Sequence, residues 1–300
     1  MHHFHYKGTE LYAEDVAVRE IVEKVGTPLY LYSHATLERH YRAMDEAFAA
    51  VPHTICYSMK ANSNLAVLKT FFGLGGGVDI VSGGELYRAL AAGVEPGKVV
   101  YSGVGKKDDE IEYALNTGIL MFNVESEEEL DRIDVIAGRL GKKAGIAIRV
   151  NPDVDPETHP YITTGLKKAK FGINIERSLE QYRRAERMAN LDVMGIDCHI
   201  GSQLTKVSPF VDTVKKLKRL IEAVRESGVD LRYFDLAAAW ASPTAMKPPR
   251  FRRNTAQQSP RKPGTSASTS CSSRAATWWE MPGSWLPSAS LSSAEKRKTS

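Results

Sequence analysis

A lysine that follows a predicted buried strand is the residue on which chemistry in this chain could depend. Residues 54–59 form an apolar strand that ends at Lys60, and a helix is predicted to begin near Leu65. Lysine is rarely buried without a partner, and burial lowers the pKa of its amine, which makes that amine a usable nucleophile. A lysine here can also be structural, with its ammonium reaching water at the rim of a sheet. The local sequence leaves both interpretations open.

Strands and helices that alternate regularly must position this lysine. Apolar strands are predicted at residues 54–59, 77–81, 98–102, 119–123, 144–150, 192–199 and 232–236. Helices are predicted between them, at residues 64–73, 84–92, 107–116, 126–140, 178–190 and 208–227. Near-continuous apolar strands indicate a parallel sheet buried on both faces, and therefore either an open doubly wound sheet or a (β/α)8 barrel. No Gly-x-Gly-x-x-Gly follows the first strand, so the dinucleotide-binding fingerprint is absent.

The residues before the first of these strands are expected to form a separate N-terminal segment, residues 1–33. Apolar residues at helical spacing predict a helix over residues 12–25, and residues 28–32 predict a short strand. Ser33 is predicted to cap the helix that follows, which extends to about residue 50.

Polar residues at the ends of the predicted strands favour the barrel. They are Lys60, Asp79 with Ser82, Ser102, Asn123, Arg149 with Asn151, His199 with Ser202, and Asp235. A barrel enzyme keeps its active site at the carboxyl ends of its strands. Plain alternatives exist, because His199 could be a core histidine and Arg149 could pair with Asp79 for structural reasons. Lys60 at a neighbouring strand end favours the functional interpretation.

Composition limits the partners and the compartment. The sequence has no apolar run long enough to cross a bilayer and no signal-peptide pattern, so we expect no membrane association. Its three cysteines lack metal or disulfide spacing, which is typical of a reducing cytoplasm. The net charge of +4 hides a basic stretch, since residues 237–300 contain ten Lys and Arg but two Glu. A basic tail can bind nucleic acid. A shifted reading frame is another explanation for these residues, and we expect no nucleic-acid partner.

Four further motifs follow the strand ends in order. They are residues 57–62 (YSMKAN), 79–86 (DIVSGGEL), 149–152 (RVNP) and 199–203 (HIGSQ). Together they resemble the fold-type III, alanine-racemase-like decarboxylases that use pyridoxal phosphate. Residues 159–167 (HPYITTGLK) and 170–173 (KFGI) are similar to the diaminopimelate decarboxylase branch of that group. The resemblance covers residues 6–236.

The resemblance implies a cofactor, a reaction and a set of site residues. The cofactor is pyridoxal 5′-phosphate, and Lys60 is its covalent attachment point and a catalytic residue. His199, the second catalytic residue, lies against one face of the cofactor ring. The remaining cofactor-binding residues are Asp79, Glu85, Arg149 and Ser202. The reaction is decarboxylation of meso-diaminopimelate to L-lysine and carbon dioxide, the last step of lysine biosynthesis. The family is homodimeric, with substrate contacts across the dimer, and residues 163–167 are interpreted as a substrate lid.

The character of the sequence changes at residue 237. Residues 237–300 contain no Ile, Val, Asp or Tyr, but they contain all four tryptophans and thirteen serines. This composition predicts a disordered tail. The family has a GGGLG phosphate loop after the seventh strand and EPGR on the eighth, and neither motif is present. We therefore expect residues 34–236 to form the cofactor-binding barrel without its eighth strand and without the family's C-terminal β-domain.

A shifted reading frame accounts for both missing motifs. Codons for residues 278–282 (WWEMP), read one base earlier, force Val-Gly, then Asn or Asp, then Ala. Extended upstream with permitted codons, the same frame reads EPGRYLVGNAG. In that frame residues 237–241 (AAAWA) permit GGGLG. The hypothesis is that residues 237–300 are a frameshifted translation after the loss of one base near codon 237.

Two other functional interpretations remain open at this stage. The chain could be a non-functional product, because a barrel without its eighth strand has two open edges that invite aggregation, and a dimer is then doubtful. It could also belong to a related decarboxylase that acts on arginine, ornithine or carboxynorspermidine. Residues 161–173 argue against that third possibility.

Overall fold

A computed structural model of the chain describes residues 3–152, 171–199, 208–239 and 274–280. The chain begins with a small antiparallel sheet of three strands, β1 (Phe4–Lys7), β2 (Glu10–Ala13) and β3 (Val16–Ala17). Two helices follow, α1 (Val18–Val25) and α2 (His34–Phe48). As predicted, Ser33 caps α2, and its Oγ accepts a hydrogen bond from the Thr36 backbone N–H at 3.1 Å.

The barrel strands and their helices come next. The strands are β4 (His53–Ser58), β5 (Gly77–Ile80), β6 (Val99–Tyr101), β7 (Met121–Val124), β8 (Ala144–Asn151), β9 (Ile173–Asn174), β10 (Leu191–His199), β11 (Tyr233–Ala239) and β12 (Arg274–Glu280). The helices are α3 (Leu65–Gly73), α4 (Gly83–Ala92), α5 (Asp108–Thr117), α6 (Glu127–Arg139), α7 (Ile175–Glu186) and α8 (Ser208–Glu226). Each strand and helix that the sequence predicted from residue 34 to 236 is present within a few residues of its predicted bounds.

The sheet closes into a barrel. Strands β4 to β8 pair in parallel with their neighbours in chain order, β8 pairs with β10, and β10 pairs with β11, again in parallel. β12 lies between β11 and β4 and runs antiparallel to both. The short β9 adds to β8 beyond this ring. Among the described residues the barrel therefore has seven parallel strands and one antiparallel strand.

Two layers of side chains explain why the predicted strands are almost wholly apolar. The outer layer packs the strands against the helices, with buried residues such as Ile80, Ile146 and Ile196. The inner layer fills the barrel with Cys56, Val100, Met121, Ala147 and Met194. Because successive residues of a strand point to opposite faces, both faces must be apolar along most of its length. In the described strands, most buried polar residues lie in the carboxyl-terminal half of their strand, and Asp235, the third residue of β11, is an exception.

The barrel prediction is confirmed, and within the described residues the eighth position of the ring holds an antiparallel strand and no parallel one. The expected pair of open edges is wrong, because residues 274–280 fill the gap in the antiparallel direction. Ten residues of the segment predicted to be disordered, 237–239 and 274–280, lie in strands. The rest of that segment lies outside the described residues. No helix in the described ranges is long and apolar enough to cross a membrane.

Two predictions for the N-terminal segment are wrong. Residues 12–17 belong to strands and the turn between them, so the predicted helix over 12–25 begins only at Val18. The apolar spacing of Leu11, Val16 and Val18 fits a strand followed by a helix as well as it fits one helix. Residues 28–32 form no strand, and Tyr30 is exposed. A strand needs a partner for its backbone groups, and these residues have no ladder within the described part of the chain.

Candidate active site

Lys60 lies just beyond β4, at the carboxyl end of the barrel, and its side chain is exposed. The neighbouring strand β5 ends close by, because Ser58 and Asp79 are register partners. The Ser58 hydroxyl donates a hydrogen bond to Asp79 Oδ2 at 3.0 Å. The other oxygen of this buried carboxyl, Oδ1, has no hydrogen-bond partner among the described residues. An unpaired acceptor therefore lies beside the lysine.

Glu85 belongs to the same side of the site. It lies in the first turn of α4, where Ser82 caps the helix by accepting a hydrogen bond from the Glu85 backbone N–H at 3.2 Å. The Glu85 carboxyl accepts from the Val81 backbone N–H at 2.7 Å. Burial raises the pKa of Glu85, while the Val81 bond and the nearby charge of Lys60 oppose that rise. Glu85 is thus close enough to Lys60 for the two charges to interact.

Arg149 lies on β8, opposite this pair of strands, between two carboxyl groups. Its Nη1 donates to Glu125 Oε1 at 2.5 Å, and its Nε lies 3.8 Å from Asp197 Oδ2. Burial by itself would lower the pKa of the guanidinium, but the charges of Glu125 and Asp197 outweigh burial and raise it. Arg149 therefore remains charged in the interior. The predicted alternative of an ion pair with Asp79 is wrong, since the ion-pair partners in the described residues are Glu125 and Asp197.

A series of hydrogen-bonded polar side chains crosses the barrel from β7. The Asn123 amide donates to Ser102 Oγ at 3.1 Å and to Asp235 Oδ2 at 2.9 Å. Asp235 is the register partner of Asp197 on the adjacent strand, and Asp197 is in turn the register partner of Arg149. Asn123 and Asp235 are 112 residues apart in sequence. Two strand ends that lie far apart in the chain are thereby tied together inside the barrel.

Asp197 and Asp235 form a pair of buried carboxyl groups, 2 % and 1 % exposed. Burial raises the pKa of Asp235 to about 7. Burial and the charge of Asp235 raise the pKa of Asp197 well above its ordinary value, and the charge of Arg149 opposes this. One guanidinium cannot neutralise two adjacent carboxylates together with Glu125, so the pair retains a proton near neutral pH.

The retained proton predicts a pH-dependent stability. An unfolded aspartate titrates near about 3.9, whereas Asp235 titrates near 7 in the folded chain. The folded state therefore binds more protons between about pH 4 and 7, and the free energy of unfolding falls as pH rises through this window. The Asp235→Asn variant keeps the acceptor for Asn123 and removes the ionisation. We expect urea unfolding at pH 8 to show it more stable than the wild type by about 2–4 kcal/mol, with little difference at pH 4.

A surface carboxylate on the neighbouring strand β10 provides the control. Asp192 of β10 pairs with Arg232 at 2.6 Å, and both side chains are largely in solvent. Asp192→Asn leaves the buried pair Asp197 and Asp235 intact, so the fall in the free energy of unfolding between about pH 4 and 7 should persist. Parallel curves of unfolding free energy against pH for the wild type and Asp235→Asn would contradict the assignment of a retained proton.

Most of the predicted site residues meet at one end of the barrel. Lys60, Asp79, Glu85 and Arg149 lie there, His199 ends β10 in a half-buried position, and Asp235 joins them from β11. Ser202 and the predicted lid, residues 163–167, lie outside the described residues. The chemical roles assigned to these residues stay predictions.

The sequence did not predict two of the buried acidic residues, Glu125 and Asp197, as site residues. A signal for both was present, since each lies two residues from a predicted site residue, Asn123 and His199 respectively, and so shares its face of the strand. The sequence also did not predict Lys106, whose side chain is completely buried and whose Nζ donates to Gly103 O, Asn123 O and Glu129 Oε1. No strand pattern marks Lys106, because it lies in the loop between β6 and α5.

Comparison with known proteins places this site in a family. The sequence model described as "Pyridoxal-dependent decarboxylase, pyridoxal binding domain" matches residues 34–247. The chain is 53% identical over 237 residues to the diaminopimelate decarboxylase of Vibrio cholerae, an alignment that covers 79% of this chain and 57% of that protein. It is 52% identical to the Pseudomonas aeruginosa protein of the same name, over 78% of this chain and 56% of that protein.

A solved structure agrees with the sequence relatives. The crystal structure of diaminopimelate decarboxylase from Helicobacter pylori complexed with L-lysine matches with a TM-score of 0.71 and 43% identity, over 72% of this chain and 55% of that chain. This chain thus spans a little over half the length of the relatives it matches. The match to the pyridoxal-binding domain covers most of the chain. It shows that the chain belongs to the pyridoxal-dependent decarboxylases.

Proposed function

We propose that this chain carries the cofactor-binding barrel of a diaminopimelate decarboxylase. The full reaction would remove the carboxylate at the D-configured centre of meso-diaminopimelate, giving L-lysine and carbon dioxide. The observation that carries the proposal is the identity of 53% and 52% to proteins of that name, over 79% and 78% of this chain. The L-lysine bound in the Helicobacter pylori relative is the product of this reaction.

The described residues fit pyridoxal phosphate on the side where its aldehyde would be held. An aldehyde needs a primary amine, and the Lys60 side chain is exposed at the mouth of the barrel. A bound polar group also needs partners, and the buried Asp79 Oδ1 beside Lys60 is an acceptor without one. On the phosphate side, Ser202 lies outside the described residues. The family's GGGLG phosphate loop is not present in the 300-residue sequence.

These residues suggest how the group would be held. Lys60 would bind the aldehyde carbon, His199 would cover one face of the ring, and Asp79, Glu85 and Arg149 would surround them, with Ser202 on the phosphate. When bound, pyridoxal phosphate supplies an electron sink for the electron pair that remains after the α-carboxylate leaves.

The chain's own groups would manage protons and charge around the reacting carbon. The amine of Lys60 is the group in this site that can deliver a proton to the α-carbon once carbon dioxide has left. Glu85 interacts electrostatically with Lys60, so its carboxylate would place a negative charge close to that side chain. Arg149 keeps its charge through Glu125 and Asp197, and it would supply a fixed positive charge in the barrel mouth.

The domain division remains part of the proposal. Residues 1–33 would form an N-terminal segment, residues 34–236 the barrel, and residues 237–300 a frameshifted translation. The missing phosphate loop, the EPGR strand and the C-terminal β-domain would then be encoded out of frame. A cytoplasmic homodimer is proposed for the frame-restored protein. For the 300-residue chain we propose impaired or absent activity.

A substrate panel tests the proposed specificity. We expect the frame-restored protein to release carbon dioxide from meso-diaminopimelate and to form L-lysine, measured by chromatography of the products. Arginine, ornithine and carboxynorspermidine should give at least about 100-fold lower kcat/KM, because a site built for a second polar end group rejects substrates that leave its groups unpaired. If the protein preferred any of these three substrates, it would be a related decarboxylase with a different specificity.

A further inference from the structure

A buried glutamate outside the predicted site holds the arginine of that site. Glu125 follows β7 and is 4 % exposed. Its Oε1 accepts from Arg149 Nη1 at 2.5 Å and from the Gly103 backbone N–H at 3.1 Å. One oxygen atom thus connects the end of β8 to the loop after β6. The other oxygen, Oε2, is buried without a hydrogen-bond partner among the described residues.

The two acidic partners of Arg149 do not hold it equally. The Glu125 contact is a charge-assisted hydrogen bond, whereas Asp197 lies at 3.8 Å, beyond hydrogen-bond distance. The guanidinium is planar and rigid, so one short bond at Nη1 and an ion pair at Nε fix both its place and its rotation. Without Glu125, Arg149 would retain the longer contact with Asp197 and the face of the Phe171 ring, whose centroid lies 5.3 Å from its Cζ, but no short charge-assisted hydrogen bond among the described residues.

We propose that Glu125 is a positioning residue for the cofactor site and that it acts through Arg149. It holds the guanidinium at one place and in one orientation, next to the carboxyl pair of Asp197 and Asp235. The inference rests on the proposed function, because Arg149 matches a family position around the cofactor. It adds a residue that neither the motifs nor the strand-end pattern had included.

A neighbouring ion pair provides the control for a purely structural role of Glu125. Glu129, at the start of α6, accepts from the buried Lys106 Nζ at 2.7 Å. Lys106 anchors the same loop by donating to Gly103 O at 2.7 Å. Glu129 is therefore a second, largely covered carboxyl that contacts this loop through Lys106, and the ion pairs described for Arg149 do not include it. Glu129→Gln is the matched control for Glu125→Gln.

The first measurement does not require the cofactor. In the full 300-residue chain, NMR of arginine side chains gives the rotation rate of the Arg149 guanidinium, whose signal is assigned by its loss in Arg149→Met. We expect Glu125→Gln to raise that rate about tenfold, because the amide oxygen accepts a weaker, neutral hydrogen bond in place of the charge-assisted one. Glu129→Gln should leave it unchanged. An unchanged rate in Glu125→Gln, or an equal rise in both variants, would overturn the inference.

The second measurement is the dissociation constant of pyridoxal phosphate, from an absorbance titration of the same chains. We expect Glu125→Gln to bind about tenfold more weakly, as is typical when an outer partner of a binding residue is removed. In the Arg149→Met background the same change should cost less than about twofold, because a residue that acts through another has no effect in its absence. An equal loss in both backgrounds would show that Glu125 acts independently of Arg149, contrary to the inference.

The two measurements separate this inference from the proposed function. If the wild-type chain binds no pyridoxal phosphate, that result counts against the proposed function of this chain. If Glu125→Gln nevertheless raises the rotation rate of the Arg149 guanidinium, that result supports the positioning role. If Glu125→Gln does not fold, Glu125→Asp replaces it, because the shorter carboxylate retains its charge but withdraws from Arg149. We expect a smaller rise in rotation rate from that variant, and no rise would overturn the inference.

Discussion

Restoring the reading frame near codon 237 is expected to convert an inactive chain into an active decarboxylase. Insertion of one base should restore GGGLG after β11 and EPGR on a parallel eighth strand. We expect the repaired protein to bind pyridoxal phosphate and decarboxylate meso-diaminopimelate as a dimer. The 300-residue chain should show no turnover above background under the same assay, which would follow L-lysine formation over time.

The direction of β12 supplies the physical reason. Catalytic residues of a barrel come from the carboxyl ends of parallel strands and from the loops that follow them. Strand β12 closes the ring, but it runs antiparallel to β4 and β11. Its first residue, Arg274, is the register partner of Ala239 at the catalytic end. β12 consequently ends at Glu280, the register partner of Tyr233, at the face opposite the catalytic end, so its own carboxyl end adds no group to the site.

Two controls give this prediction its force. A gene that ends at codon 236 should likewise give no turnover, because its product lacks the same phosphate loop and EPGR strand, although it also loses the strand β12 that closes the barrel. Sequencing the source DNA across codon 237 tests the frameshift directly, and an intact frame there would refute it. Turnover by the purified 300-residue chain would refute the predicted loss of activity.

Replacing Lys60 is expected to have the largest effect of any single substitution. In the frame-restored protein, Lys60→Ala should lower kcat by at least about 10³-fold, since the site loses both the amine that holds the cofactor and a group that transfers protons. The absorbance of the lysine-bound cofactor should disappear as well. Stability should change little, because the Lys60 side chain is exposed.

An exposed lysine nine residues away provides the comparison. Lys69 lies on the solvent side of α3, and Lys69→Ala should leave both the spectrum and kcat within about twofold of the wild type, as surface substitutions generally do. If Lys60→Ala retained the cofactor absorbance and most of its turnover, the attachment of pyridoxal phosphate would have to be assigned to another amine.

The barrel could be predicted because its signals are local. Most of the predicted parallel strands are near-continuous apolar runs with a polar residue at or near the end, so the order and approximate bounds of the elements follow from short stretches such as residues 144–150. The N-terminal segment was less predictable. Residues 12–17 fit either a helix or two short strands, and only the pairing of Tyr12 with Ala17 and His5 in the antiparallel sheet separates the two.

The composition of the site could be predicted only in part. Lys60, Asp79 and Arg149 were found because they follow strands at the expected end of the barrel. Glu125 and Asp197 were missed because an acidic residue near a strand end has no chemical meaning until its partner is known. That partner is Arg149, which lies 24 residues from Glu125 in the chain and on a strand between those of the two acids.

The sequence by itself determined the alternation of strands and helices, the family and the lysine that would bind the cofactor, since each depends on residues close together in the chain. Tertiary structure alone decided which carboxyl groups hold Arg149, that Asp197 and Asp235 retain a proton, and that residues 274–280 close the barrel in the antiparallel direction. Ion pairing and proton affinity depend on distance and burial. Strand pairing depends on which edges remain open once the other seven strands have folded.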